Sequence, residues 1–183
     1  MTTILGIPGS LRRGSFNRAL LEAARALMPE GAQLEVAGLD GIPLYDGDVE
    51  ASQGIPAAVT ALKDRIAAAD GIVVATPEYN GSMPGVLKNA IDWCSRPPED
   101  QARVLRDRPV AMLGATPGRL GTILAQDAWL GVVRTLRRRP WYQGRLMVSA
   151  VHDLLDDEGR LVDSNTRDQL RAFMAGFVAF VDD

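Results

Sequence analysis

The stretch Pro77-Glu78-Tyr79-Asn80-Gly81-Ser82-Met83-Pro84-Gly85-Val86-Leu87-Lys88-Asn89-Ala90-Ile91-Asp92-Trp93 follows an apolar run from Gly71 to Thr76. The run reads as a buried strand. The stretch after it reads as a polar, glycine-bearing loop that opens into a helix near Pro84. In an open parallel α/β sheet, ligands bind just beyond the carboxyl ends of the strands. A second loop of this kind, Gly9-Ser10-Leu11-Arg12-Arg13-Gly14-Ser15-Phe16-Asn17, follows an apolar strand from Thr2 to Pro8. A third, Ala115-Thr116-Pro117-Gly118-Arg119-Leu120-Gly121-Thr122, follows a strand from Pro109 to Ala115. Three such loops would converge on one crevice at the switch point of the sheet.

The rest of the chain fits that frame. Phe16 to Leu27 carries apolar residues at helical spacing, and Pro29-Glu30-Gly31 ends it. Gln33 to Leu39 reads as a flanking strand, Asp40 to Gly54 as a loop, and Ile55 to Ala69 as a helix. A helix over 84–94 is stopped by Pro97-Pro98. Gly121 to about Arg138 is mostly helical, Arg145 to Val151 is a fifth strand, and a last helix runs from Asp163 to Val181, capped by Asp163 or Ser164. Strands and helices alternate throughout. The fold class is therefore α/β: a doubly wound, five-stranded parallel sheet with helices on both faces. No repeat, low-complexity tract or linker interrupts residues 1–183, which read as a single domain.

The chain has 183 residues, 46% hydrophobic and 23% charged, with a formal net charge of −3. That balance gives no general attraction to nucleic acid or anionic membranes. One cysteine excludes an intrachain disulfide, and no Cys/His cluster has zinc spacing. No apolar run approaches the ~20 residues that span a bilayer, and no cleavable leader is evident. The expected location is the cytoplasm.

The first loop has the G-x-x-x-x-G spacing of a P-loop, but Ser15-Phe16 stands where Lys and Ser/Thr would reach phosphates and magnesium. What remains is a helix start with exposed N–H groups, with Ser10, Ser15 and Asn17 as hydrogen-bond donors and Arg12 as a charge. The inventory suits a terminal monophosphate; it also suits a helix capped by Ser15 with solvated arginines. No G-x-G-x-x-G follows the first strand, so a dinucleotide held in Rossmann fashion is disfavoured. Pro77 to Met83 offers backbone N–H groups, the Asn80 amide and the Tyr79 ring. A flavin needs that mixture of polar edge and flat apolar cover; an ordinary surface loop would also contain it.

Taken together, these residues resemble the NADPH-dependent FMN reductase family, a flavodoxin-like group that includes quinone- and chromate-reducing flavoproteins. The family pattern Gly-Ser-x-Arg-x-x-Ser-x-Asn is met by Gly9, Ser10, Arg12, Ser15 and Asn17. The longer pattern from Pro77 to Trp93 is matched throughout. The Asp156-Asp157-Glu158-Gly159 turn and Thr166-Arg167 also resemble it. The resemblance implies that Ser10, Arg12, Ser15, Phe16 and Asn17 hold the phosphate of FMN. It implies that Pro77, Glu78, Tyr79, Asn80 and Gly81 run along the ring, with Thr116 and Gly118 of the third loop nearby. The third loop departs from the family's adjacent glycines, because Gly121 is followed by Thr122.

The activity implied is hydride transfer from NADPH or NADH through FMN to a quinone, azo compound, chromate or free flavin, by a ping-pong mechanism. Rival readings are a flavodoxin-like electron carrier and a non-catalytic flavin-binding regulatory module. The near-neutral charge and the long second-loop pattern disfavour the carrier. No catalytic side chain is expected, because the cofactor carries the chemistry. His152, the sole histidine, reads as solvated or structural, and Cys94 as packing. Arg134, Arg137, Arg138 and Arg139 read as a solvated helix end. The acidic run at 153–158 reads as a turn, since its spacing does not suit calcium. Trp129, Trp141 and Tyr142 are core or an oligomer surface. The resemblance implies a dimer or tetramer. Apolar Ile42, Pro43, Leu44 and Tyr45, together with Trp93 to Pro98, have no evident partner within the chain and would be covered by a second copy.

Overall fold

The computed structural model describes residues 1–183. The strands β1 (Thr2–Pro8), β2 (Ala32–Val36), β3 (Gly71–Ala75) and β4 (Pro109–Ala115) form a parallel sheet in the order β2-β1-β3-β4. Its register pairs Ile4 with Gly71 and Ile72 with Val110. Every residue of β3 is buried. That is why the sequence shows a continuous apolar run there rather than alternation: a central parallel strand has no solvent face.

Successive strand residues point to opposite faces, so Ile4 and Val73 enter one core while Leu5, Ile72 and Val74 enter the other. The first core is covered by α1 (Phe16–Arg25) and α7 (Ser164–Asp182), through Leu20, Leu21, Phe173, Met174 and Phe177. The second is covered by α3 (Ala57–Ala68), α4 (Gly85–Cys94), the short α5 (Gln101–Val104) and α6 (Ile123–Thr135), through Leu62, Ile66, Leu87, Ile91, Val104 and Trp129. Burying each of these large side chains contributes about 1.5–3 kcal/mol, so the two cores dominate the fold. No helix is long and apolar enough to cross a membrane.

The fifth strand position differs from expectation. Two short strands fill it, β5 (Arg139–Pro140) beside Pro109 and Val110, and β6 (Leu146–Val148) beside Leu113 to Ala115. Pro140 has no N–H to extend a ladder. After the Trp141 N–H reaches the Val110 carbonyl at 2.9 Å, the chain leaves the sheet. The Trp141 ring packs over Gly144 and Gly176, with centroids 5.1 Å from Phe173 and 5.8 Å from Phe177. Trp141 is thus half-buried against the first core, Trp129 is buried in the second, and Tyr142 is exposed.

Asp40 to Gly54 is not loop throughout, because it contains α2 (Gly47–Gln53), capped by the Asp46 carboxylate on the Asp48 N–H at 2.8 Å. None of its residues is buried, so it carries no apolar stripe to betray it. This segment also has a partner within the chain. The Trp93 indole and the Asn89 amide both donate to the Pro43 carbonyl, at 2.9 and 2.8 Å. Tyr45 meets Trp93 edge to face at 4.9 Å, and Arg96 pairs with Glu50 at 2.8 Å. The two segments thus partner each other, which corrects the expectation that each lacks an internal partner, but Leu44 remains exposed.

Gly114 is the tightest point of β4. A Cβ there would lie 2.0 Å from Thr122 Oγ1 and 2.4 Å from the Thr76 carbonyl oxygen. Gly114→Ala is expected to lower stability by about 3 kcal/mol or more, read as a fall in the urea midpoint; an unchanged midpoint would show that β4 can yield.

Candidate functional site

In the strand order found here, the chain turns back between β1 and β3, which makes their carboxyl ends the switch point. A crevice of about 230 Å³ lies there, lined by Ser10, Arg12, Ser15, Phe16 and Asn17 from the first loop, Pro77, Glu78 and Tyr79 from the second, and Ala115, Thr116 and Pro117 from the third. All three loops identified from the sequence converge on it. Asn80 and Gly81 form a turn tip beyond the lining, and Gly118 stands just behind Thr116.

Ser15 caps α1: its Oγ accepts the Arg18 N–H at 3.2 Å and its carbonyl accepts the Ala19 N–H at 3.0 Å. The N–H groups of Phe16 and Asn17 precede the first intrahelical bond and have no acceptor in the chain. Ser10, nearly buried, accepts the Arg12 N–H at 3.3 Å and meets the Tyr79 hydroxyl at 3.3 Å, joining the first loop to the second. The Arg12 guanidinium is exposed, 5.9 Å from the centre of the Phe16 ring.

Asn17 differs from expectation. Its amide is not free to donate to a ligand, because Nδ2 donates to the Ala115 carbonyl and Oδ1 accepts the Ala115 N–H, both at 2.9 Å. Alternate residues of a parallel strand point both backbone groups to the same neighbour. Leu113 takes the Thr76 N–H, so Ala115 points the same way, to where β3 has already turned into its loop. Asn17 replaces the missing strand partner. Only its backbone N–H remains open.

Tyr79 and Ser82 exchange two backbone hydrogen bonds around Asn80 (φ 52°) and Gly81 (φ 71°), a tight turn whose left-handed centre suits Asn-Gly. Glu78 also differs from a simple lining role. Its carboxylate accepts the N–H groups of Leu124 and Ala125 at 2.9 and 3.1 Å, capping α6, which Thr122 leaves uncapped. The backbone N–H groups of Glu78, Asn80 and Gly81 have no acceptor in the chain. In the third loop, Thr116 bonds Val148 and Val151 through its backbone and takes the Gly118 N–H on Oγ1 at 3.3 Å. Thr122, the departure from the family pattern, is fully buried and takes the Gln126 amide at 3.1 Å, in the space Gly114 leaves. Sequence reasoning missed Ala115 and Pro117 as lining, because neither side chain carries chemistry to signal it.

His152 is exposed on a short turn outside the crevice, 3.3 Å from Asp153. Cys94 is fully buried at the end of α4, and burial pushes its thiol up to about 12. Arg138 corrects the reading of a solvated cluster. Burial lowers its guanidinium to about 10, and its Nη1 has no hydrogen-bond partner. This cluster adjoins the start of β4, while the crevice lies at its end, roughly 20 Å along the strand. The acidic turn is held by Asp156 accepting the N–H groups of Glu158 and Arg160, at 3.1 and 2.8 Å.

A doubly wound parallel sheet with an anion-ready helix start and an amide-rich loop at its switch point defines a flavodoxin-like oxidoreductase. Residues 2–153 match the model of the NADPH-dependent FMN reductase family, and the chain belongs to that family. It is 46% identical over 168 residues to an NAD(P)H-dependent FMN reductase of Pseudomonas aeruginosa, covering 92% of this chain and 89% of the relative. It is 38% identical over 177 residues to a 2-hydroxy-1,4-benzoquinone reductase of a Burkholderia species, covering 97% and 94%. Among solved structures, the flavoenzyme NAD(P)H:(acceptor) oxidoreductase FerB of Paracoccus denitrificans superposes with a TM-score of 0.87 at 29% identity, over 100% of this chain and 98% of that one.

Asn17→Ala would leave the buried N–H and C=O of Ala115 unpaired, at about 1–3 kcal/mol each. The expected result is a fall in Tm of roughly 5–15 °C together with weaker flavin binding. An unchanged Tm would mean that water satisfies Ala115.

Proposed function

We propose that this chain, acting as one domain over residues 1–183 in the cytoplasm, is an FMN-dependent NAD(P)H oxidoreductase that reduces small acceptors, quinones foremost. The observation that carries the reading is the set of backbone donors without acceptors along one crevice, Phe16 and Asn17 at one end and Glu78 at the other, with Arg12 unpaired beside them. Bound there, FMN would supply the redox chemistry that links a reduced nicotinamide to the acceptor. The first loop would hold the phosphate through the N–H groups of Phe16 and Asn17, the hydroxyls of Ser10 and Ser15, and Arg12. The N–H groups of Glu78, Asn80 and Gly81 would bond the polar edge of the ring, with Pro77 and Tyr79 as apolar cover and Thr116 and Gly118 closing the third side. The Glu78 carboxylate, tied to α6, is not free as a general base. No side chain along the crevice forms an acid–base pair, which suits chemistry carried by the cofactor.

The test is steady-state turnover by the FMN-loaded protein with NADPH or NADH and a quinone. Many turnovers per protein, with parallel double-reciprocal lines, are expected; a single turnover would indicate a carrier or regulatory module. Riboflavin should bind at least ~10-fold more weakly than FMN, since charge-assisted bonds are lost. His152→Ala should keep most of the activity; a loss of ~100-fold would reach the scale of general acid–base catalysis.

Self-association as a dimer or tetramer is supported by exposed Leu120, Leu124, Leu130 and Tyr142 on and around α6, and by Tyr79 beside the crevice. Large exposed apolar side chains grouped in this way favour an interface. Light scattering at micromolar concentration should give a mass of at least two chains; a mass near one chain with full activity would overturn this.

A further inference from the structure

Glu78 brings the only carboxylate that lines the crevice. A helix to which it does not belong fixes its position. α6 has no acidic residue in its first turn, and Thr122 at its start makes no side-chain capping bond. Glu78 Oε2 takes that place from 46 residues away, accepting the N–H groups of Leu124 and Ala125 at 2.9 and 3.1 Å. The tip of the same turn rests on the same helix, because a Cβ at Gly81 would lie 3.4 Å from Leu124 Cδ1. The turn that presents the open N–H groups of Glu78, Asn80 and Gly81 is therefore seated on α6 at both its start and its tip.

The charge of this carboxylate is not cancelled where it sits. It bonds these N–H groups and no lysine or arginine. Arg145, which reaches the Ile123 carbonyl at the same helix start, is paired with Asp127 at 2.8 Å. Arg12 belongs to the first loop, beside Phe16. A helix N-terminus carries about half a positive charge, so a full carboxylate upon it leaves net negative charge. The carboxylate and the backbone N–H of Glu78 belong to one residue. They are thus closer together than the ~8 Å over which physiological salt screens a charge.

A ring bonded to that N–H feels the carboxylate whenever its own charge changes. A hydride carries two electrons and one proton: the nicotinamide is oxidised, and the ring it reduces gains one negative charge. The open groups of the crevice are otherwise N–H donors and Arg12, which favour that gain. Unopposed, they would hold the reduced ring too firmly to release its electrons to an acceptor. We propose that Glu78 sets the redox poise of the flavin, seating the turn over 78–82 on α6 through its hydrogen bonds and lowering the potential through its charge. The inference rests on the catalytic reading above and adds to it the residue that governs how strongly the reduced protein gives electrons. Glu78 is a positioning residue in this role: its carboxylate acts through the turn and through space, and transfers no proton.

Glu78→Gln and Glu78→Ala separate the two parts. Glutamine keeps a carbonyl oxygen for both N–H groups and loses the charge, whereas alanine loses both. The midpoint potential of each FMN-loaded protein is measured by spectroelectrochemical titration, and its affinity for oxidised FMN by calorimetry on the flavin-free protein. Glu78→Gln should hold oxidised FMN within ~3-fold of the unsubstituted protein. Its two-electron midpoint should rise by ~30 mV, which equals ~10-fold tighter binding of the reduced ring relative to the oxidised one. Glu78→Ala should raise the midpoint as well and weaken oxidised FMN ~10-fold or more, because the turn loses its seat. Glu30→Gln is the control for charge at a distance. Glu30 is exposed just before β2, at the amino end of the strands, and its substitution should leave the midpoint where it was. A midpoint unchanged in Glu78→Gln, or raised equally by Glu30→Gln, would overturn the tuning role even if Glu78→Ala did not fold. Equal affinity of Glu78→Ala and Glu78→Gln for oxidised FMN would overturn the seat. Failure of the unsubstituted protein to bind FMN would instead overturn the catalytic reading, and this inference with it.

Discussion

The paired hydrogen bonds between the Asn17 amide and the backbone of Ala115 hold the functional end of this molecule together. β3 ends before β4 does, so β4 reaches the carboxyl edge with a buried N–H and C=O and no neighbour. Left open, each would cost about 1–3 kcal/mol. An amide side chain is the right shape to satisfy both, since it carries a donor and an acceptor side by side. By doing so from the first turn of α1, Asn17 ties the first loop to the third. Ser10 and Tyr79 tie the first to the second, and Glu78 ties the second to α6. Three loops that the sheet merely brings near are thereby fixed in one arrangement.

That arrangement explains why the crevice is rich in donors and poor in acids and bases. The side chains able to accept hydrogen bonds are committed to protein N–H groups: Ser15 to Arg18, Glu78 to α6, Thr116 to Gly118. What remains open is backbone N–H and the Arg12 charge, a rim complementary to an anion and to carbonyl-bearing rings. A nucleophile or proton relay would need a partnered His, Cys or carboxylate. The sole histidine is exposed and does not line the crevice, and the sole cysteine is sealed in the core.

Packing at the periphery is shaped by single residues. Thr122 fits beneath the third loop because Gly114 has no side chain, so the two positions act as a pair. Pro140 interrupts the fifth strand position, and the Trp141 ring then fills the space beside α7. Trp93 anchors the chain after Asp40 through the Pro43 carbonyl, while Leu44 beside it stays exposed.

The sequence by itself determined the alternation of strands and helices, the three loops at the strand ends and the family pattern from Pro77 to Trp93. Those signals are local: apolar runs, glycine-bearing turns and helix starts depend on near neighbours in the chain. It did not disclose α2, none of whose residues is buried, or the split of the fifth strand, which turns on where one indole packs. Nor could it say that Asn17 and Glu78 would turn their side chains to protein rather than ligand. Their partners lie 98 and 46–47 residues away in the chain, so the geometry that engages them exists only once the sheet has formed. The tertiary structure decided which polar groups were satisfied and which were left open, because that depends on where each backbone segment ends relative to its neighbours in space.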